Sequence, residues 1–181
     1  MNNLLFLPID IDLSMLDFKH VSDPHPSTKW NGFWNASFIT EKTIKDNNLQ
    51  TILDQLPFTQ ITRFFHKVQT VVVPAHIDVT PDMNYELGEF AHIRENEPCG
   101  YRFVLKGSTD KLFVKNNTDW MQATLPSVPC CYVLNSTKGL HKLAMDEGRE
   151  TLYVRGFIDP LKQKKLIDRS LAKYKDYAIY R

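Results

Sequence analysis

The sequence predicts a mainly β protein of the α+β class, a jelly roll with a helix before and after its strands. Three observations carry this. After Leu56, almost a hundred residues break into short runs rich in β-branched and aromatic residues, separated by Pro, Gly, Asn and Asp clusters. Before them, Leu49, Ile52, Leu53 and Leu56 fall at i, i+3, i+4 and i+7, and Pro57 ends the helix they define. After them, Asp159 suits an N-cap and Pro160 the first helical position, and Ile167, Leu171 and Tyr174 supply an apolar stripe. Many short strands with turn signals between them suggest a sandwich or barrel, and a jelly roll with helices against one sheet is the most economical form.

The opening "MNNLLFLPIDIDLSMLDFKH" has no basic n-region, and Asp10 and Asp12 interrupt its apolar run, so it does not read as a signal peptide. Residues 21–35, "VSDPHPSTKWNGFWN", read as a loop whose tryptophans Trp30 and Trp34 cover a core or line a pocket. The strand runs are "ITRFFHKVQTVVVPA", "FAHIR", "GYRFVLKG", "KLFVK", "WMQATL", "CCYVLNS", "GLHKLAM" and "RETLYVRGFI". In the first, the valines before Pro74 are expected to face a core, with Pro74 ending regular pairing. One domain over 1–181 is expected, with its strand core at about 56–159 and its closing helix at about 160–175.

Composition is that of an ordinary globular chain: 181 residues, 43% apolar, 24% charged, net charge +1. No basic stripe suggests a nucleic-acid partner. The last twenty residues hold seven Lys/Arg against two Asp, the pattern of a solvated helix face. No apolar run reaches 18 residues, so no transmembrane helix is expected. Cys99, Cys130 and Cys131 are odd in number, and the adjacent pair on a strand points to opposite faces. They read as reduced thiols, and a cytoplasmic location is the default.

His76 and Asp78 close the "VVVPAHIDVT" stretch. Six histidines and 21 acids in 181 residues give less than one H-x-[DE] match by chance, so the spacing alone is weak. On a strand, however, residues i and i+2 share a face. An imidazole beside a carboxylate supplies two legs of the 2-His-1-carboxylate site used for Fe(II). The third leg comes from His20, His25, His66, His92 or His141. His141 fits best, because strands near the start and end of a jelly-roll series pair beside each other.

The strand after His141 carries two arginines. Arg149, Thr151, Tyr153 and Arg155 share one face, with Leu152 and Val154 on the other. A buried guanidinium is costly unless it meets an anion, and its planar fork suits a carboxylate. Arg102 in "GYRFVLKG" poses the same question.

In this order of features the chain resembles the Fe(II)/2-oxoglutarate-dependent oxygenases, most closely the aspartyl/asparaginyl β-hydroxylase and proline-hydroxylase branch. The stretches concerned are "LPFTQITRFFHKV" leading to "VVVPAHID", "YRFVLKG", and "VLNSTKGLHKLAMDEGRETLYVRGFID", across about residues 56 to 159. The resemblance implies a double-stranded β-helix, cupin-like, with His76, Asp78 and His141 as the iron ligands. It implies that Arg149 or Arg155 holds the distal carboxylate of 2-oxoglutarate and that Arg102 contacts the cosubstrate. The interval from His141 to Arg149 is short for the family and that to Arg155 long, so both stay candidates. The implied activity is a dioxygenase hydroxylating an amino-acid-like substrate, free or in a peptide, with succinate and CO2 as co-products. Dioxygen and a small-molecule or peptide substrate are the expected partners, with neither nucleic acid nor membrane. Substrate contacts are expected from Trp30, Trp34, Asn84, Tyr85, Glu86 and Trp120. The same ligand set would also serve a cupin-like module that binds metal or a small acid without turnover, or an oxygenase of nucleosides or other small molecules.

Overall fold

The computed structural model describes residues 3–19, 34–77, 100–136 and 139–181. Two antiparallel sheets form the molecule. The larger takes β1 (Leu4–Ile9), β2 (Trp34–Phe38), β3 (Phe58–Gln69), β5 (Gly100–Lys106), β8 (Cys130–Leu134), β10 (Glu150–Ile158) and β11 (Ile179–Tyr180). Their order across the sheet is β11-β1-β8-β5-β10-β3-β2. The smaller takes β4 (Val73–His76), β6 (Leu112–Lys115), β7 (Trp120–Gln122) and β9 (His141–Leu143), in the order β4-β9-β6-β7. From β3 to β10 the chain passes back and forth between the sheets, so strands distant in sequence become neighbours.

Each face of the larger sheet has its own core. One face, with Phe64, Tyr101, Phe103, Val133, Leu152 and Val154, packs under Leu49, Ile52, Leu53, Leu166 and Ile167 of the helical segments. The other, with Phe6, Val104, Cys130, Tyr132 and Leu134, meets Val73, Leu112, Val114 and Leu143 of the smaller sheet. The alternation of side chains along a strand makes this division. Cys130 and Cys131 divide in that way, one in each core, both as free thiols. Burial pushes the Cys130 thiol up to about 12 and the Cys131 thiol well above its ordinary range, the direction that disfavours the thiolate.

The expected first helix is two short ones. α1 (Glu41–Asp46) is capped by the Thr40 side chain, which accepts from the Thr43 N–H, and α2 is Gln50–Leu53. Asn48, at φ 52°, turns the chain between them. The three spaced leucines and the isoleucine are nevertheless all buried. The closing helix, α3 (Pro160–Tyr174), begins as its sequence predicts: the Asp159 carboxylate accepts from the N–H groups of Leu161 and Lys162, with Pro160 first. Ile167 is fully buried, which stabilises the docking by about 2 kcal/mol. Its polar side is solvated, as in the exposed Lys164–Asp168 pair. Arg169 and Lys173 reach back to Asp10 at 3.2 and 2.6 Å, pinning the end of β1 to the helix.

Two expectations fail in detail. Val71 and Val72 lie outside β4 and are 43% and 54% exposed, so only Val73 of that valine run is core. The N-terminal "LLFLPI" is a fully buried strand between β8 and β11, not foreseen because a continuous apolar run has no period to mark it. The expected strand "FAHIR" lies outside the described residues.

At the far end of β10, Gly156 passes so close to β3 that a Cβ there would lie 2.0 Å from the Gln60 carbonyl oxygen. The register with β3 shifts at this point, skipping Thr62. Gly156→Ala is therefore expected to cost about 1–3 kcal/mol in a urea titration, with the slope unchanged. A midpoint equal to that of the parent chain would refute this account of the bulge.

Candidate functional site

β4 and β9 pair so that His76 lies directly opposite His141. Between Val73 and His76 the register shifts, because Pro74 and Ala75 bulge out, both exposed. Without the bulge, residues three apart would face opposite ways. With it, Val73 and His76 both turn to the side of Leu143 and His141. That side faces the larger sheet, since Leu143 and Val114, the latter paired with His141, belong to the core between the sheets. Among the described residues β4 is the edge strand of its sheet, where a proline is tolerated.

The two imidazole rings stand 4.3 Å apart, tilted by 49°. Each is oriented in the same way by its own backbone. His76 Nδ1 lies 2.8 Å from the Pro74 carbonyl and His141 Nδ1 lies 3.0 Å from that of Gly139. Donation from Nδ1 to a carbonyl puts the lone pair of each neutral ring on Nε2, the arrangement that orients a metal-binding histidine. The donor set thus fits two nitrogen ligands of a transition metal. Among the described residues no group of three His, Cys, Asp or Glu comes together to hold an ion. Asp78, together with Asn84, Tyr85, Glu86, His20, His25, His92 and Trp30, lies outside the described residues.

The remaining candidate histidine is elsewhere. His66 sits opposite Leu152, on the face of the larger sheet that packs against the helices. Its ring lies 5.0 Å from that of Phe18, and its Nε2 is 3.4 Å from Glu150. Burial holds its pKa below the ordinary value, partly offset by Glu150.

The arginines separate into two kinds. Arg149 is 1% exposed and donates to the Ser108 carbonyl at 2.7 Å and to Asp146 Oδ2 at 3.1 Å. Asp146 also accepts from the Ser108 N–H and hydroxyl. Burial alone would raise the Asp146 carboxyl, but the Ser108 N–H, Arg149 and the Ser108 hydroxyl outweigh it and hold the pKa below the usual range. The buried anion that Arg149 requires is therefore supplied by its own turn.

Arg155 and Arg102 belong to a different neighbourhood. Tyr153 pairs with Arg102 on one side and Phe65 on the other, and Arg102 pairs with Tyr132 of the inter-sheet core. Paired residues share a face, so Tyr153, Arg102 and Arg155 look across at the smaller sheet, as the alternation along β10 predicts. Arg155 is 3% exposed, its Nε–H donates to the Tyr153 hydroxyl, and its guanidinium lies 4.9 Å from the Tyr153 ring centre. Arg102 lies 4.4 Å from the same ring. Lys67, which the sequence did not single out, joins them at 4.7 Å. No spacing rule could have found it, because its place depends on the register of β3 with β10.

Of the predicted substrate residues, two fall on described strands. Trp34 is the first residue of β2. Trp120 pairs with Lys115 on the outward face of the smaller sheet, where Lys142 lies 4.3 Å over its ring.

The chain matches no protein-family model and no curated protein. The fold and site therefore define a class only by their own geometry: a two-sheet β protein with a histidine pair on one inner face and a cationic, tyrosine-centred patch on the other.

Proposed function

We propose that this protein is an Fe(II)- and 2-oxoglutarate-dependent oxygenase that hydroxylates an amino-acid-like substrate, releasing succinate and CO2. The observation that carries the reading is the registered pair His76–His141, with matched Nδ1 bonds, facing a sheet whose inner face gathers Arg102 and Arg155. The strand order supports a jelly-roll reading, because β3-β10-β5-β8 and β4-β9-β6-β7 interleave as eight consecutive strands of a double-stranded β-helix would.

In this proposal His76 and His141 hold the iron through Nε2, and Asp78, two residues after His76, supplies the carboxylate. The metal contributes the redox chemistry with dioxygen and the oxo acid. The protein's own residues bind and orient. Arg155, on the face that looks across at the smaller sheet, takes the distal carboxylate of 2-oxoglutarate, and Arg149 serves the clamp with Asp146 and Ser108. Arg102 flanks it. The apolar walls Val104, Val114 and Leu143 exclude water from the space between the sheets.

Anaerobic addition of Fe(II) and then 2-oxoglutarate to the full chain is expected to give a weak visible charge-transfer band, and admission of air to give succinate. Absence of iron binding would refute the reading. Tight iron and 2-oxoglutarate binding with no succinate, even with a panel of amino acids and peptides, would favour a metal- and acid-binding module without turnover.

A further inference from the structure

We propose that the groove between the end of α2 and the exposed side of α3 is a docking site for an acidic segment of a partner protein. The groove belongs to the helical side of the larger sheet, away from the histidine pair, and the proposal does not rest on the oxygenase reading.

The groove has a volume of about 210 Å³. Leu56, Pro57 and Leu166, all buried, form its floor. Gln55 is a fixed wall, because its amide accepts from the Asp12 N–H and donates to the carbonyls of Asp12 and Thr51. Along the α3 side run Lys162, Lys165 and Arg169. They fall at i, i+3 and i+7, so they share one side of the helix.

Arg169 is held by Asp10. The two lysines are exposed, and neither forms an ion pair among the described residues. The acids of the same helix end are already engaged: Asp168 pairs with Lys164 at 2.5 Å, and Asp159 caps the helix. Helix stability does not account for this row. Like charges one turn apart repel, and cations are favoured at a helix C-terminus, whereas these lysines stand in the first two turns. A merely solvated face mixes its signs, as the Lys164–Asp168 side does, and the groove side of α3 does not.

A carboxylate is the complementary group, and the spacing suits a peptide that carries several. Along α3 the three cations are separated by about 4.5 and 6 Å of rise. Side chains on one side of an extended chain recur about every 6.6 Å. Two acids two residues apart therefore meet two cations. The other wall narrows the choice of partner. Asp54 lines it, and its Oδ1 accepts from the Gln50 amide. A peptide offers Asp54 backbone N–H donors beside its own carboxylates, whereas the backbone of a nucleic acid brings it further negative charge. The chain's net charge of +1 also supplies no broad basic surface for a polyanion.

The test uses labelled ten-residue peptides in which serine alternates with glutamate or with glutamine. By fluorescence anisotropy at low salt, the full chain is expected to bind the glutamate peptide at least tenfold more tightly. Raising the salt to 0.5 M should cut that preference to threefold or less, because exposed charges are screened. The double variant Lys162→Glu, Lys165→Glu should bind the two peptides within twofold of each other. Both replacements put an acid near the helix N-terminus, where it is favoured, so the fold is expected to persist, and a thermal unfolding curve checks it. Lys45→Glu with Lys175→Glu makes the same change in net charge at exposed positions outside the groove and should keep at least half of the preference.

A parent chain without the tenfold preference would overturn the proposal. So would equal loss in the two double variants, the signature of net charge alone. An oligothymidylate that displaces the glutamate peptide at lower concentration than the unlabelled peptide itself would give the groove to nucleic acid instead. Self-association in sedimentation that Lys162→Glu, Lys165→Glu abolishes would give it to a second copy of this chain. Either result overturns the assignment to an acidic partner segment.

Discussion

Replacing His141 by alanine is expected to lower Fe(II) affinity by at least ~100-fold, because loss of a group that merely orients a ligand already costs about 10–100-fold. His141 is 6% exposed and lies directly across from His76, so its replacement removes one of the two paired nitrogens. His76→Ala should do the same. His66→Ala is the control: it removes an imidazole of the same strand series, but from the face packed against the helices. Titration with Fe(II) under anaerobic conditions, or with Mn(II) by electron spin resonance, measures all three. If His141→Ala bound iron within twofold of the parent chain, the histidine pair would be a packing feature and the proposed function would fall.

The second large effect concerns stability. Asp146→Ala should destabilise the fold by about 3 kcal/mol at pH 7, since it strands a guanidinium that is 1% exposed. Adding Arg149→Met should restore part of the loss by removing the uncompensated charge. The pH dependence has a definite sign. The Asp146 carboxyl is held below its ordinary value in the folded chain. Its contribution is therefore complete above the unfolded value near ~4 and fades as pH falls through the folded value. Urea midpoints measured between pH 7 and 3 should fall less steeply for Asp146→Ala than for the parent. A variant within 0.5 kcal/mol of the parent at pH 7 would show that the Asp146–Arg149–Ser108 clamp carries no weight.

That clamp also marks a boundary of what the chain discloses by itself. The alternation in "RETLYVRGFI" identified the shared face of Thr151, Tyr153 and Arg155, because a strand leaves only two choices. It could not tell which arginine had a partner. Asp146 is three residues before Arg149, but the Ser108 contacts come from the turn after β5. The capping residues Asp159 and Pro160 were more direct, since a cap acts within its own turn. Asn48 was harder. It lies just ahead of the stripe that begins at Leu49, and nothing in that spacing marks the left-handed turn of the backbone there. His76 and His141 were paired by chemistry, and the register of β4 with β9 places them together. The bulge at Pro74–Ala75 that makes this possible has no sequence period of its own. Lys67 and the Tyr153 hub required cross-strand register, which no single segment contains.

The position of β1 carries a further consequence, for how the chain folds as it is made. This strand is buried along its whole length, yet its two neighbours, β8 and β11, are among the last strands of the chain. At ~5–20 residues per second, β1 emerges on the order of ten seconds before β8 can meet it. During that interval "LLFLPI" is a solvent-facing apolar segment with its hydrogen bonds unpaired by any sheet, a form open to aggregation. The larger sheet can close only when distant segments find each other, which makes folding slow and dependent on protection of the nascent chain.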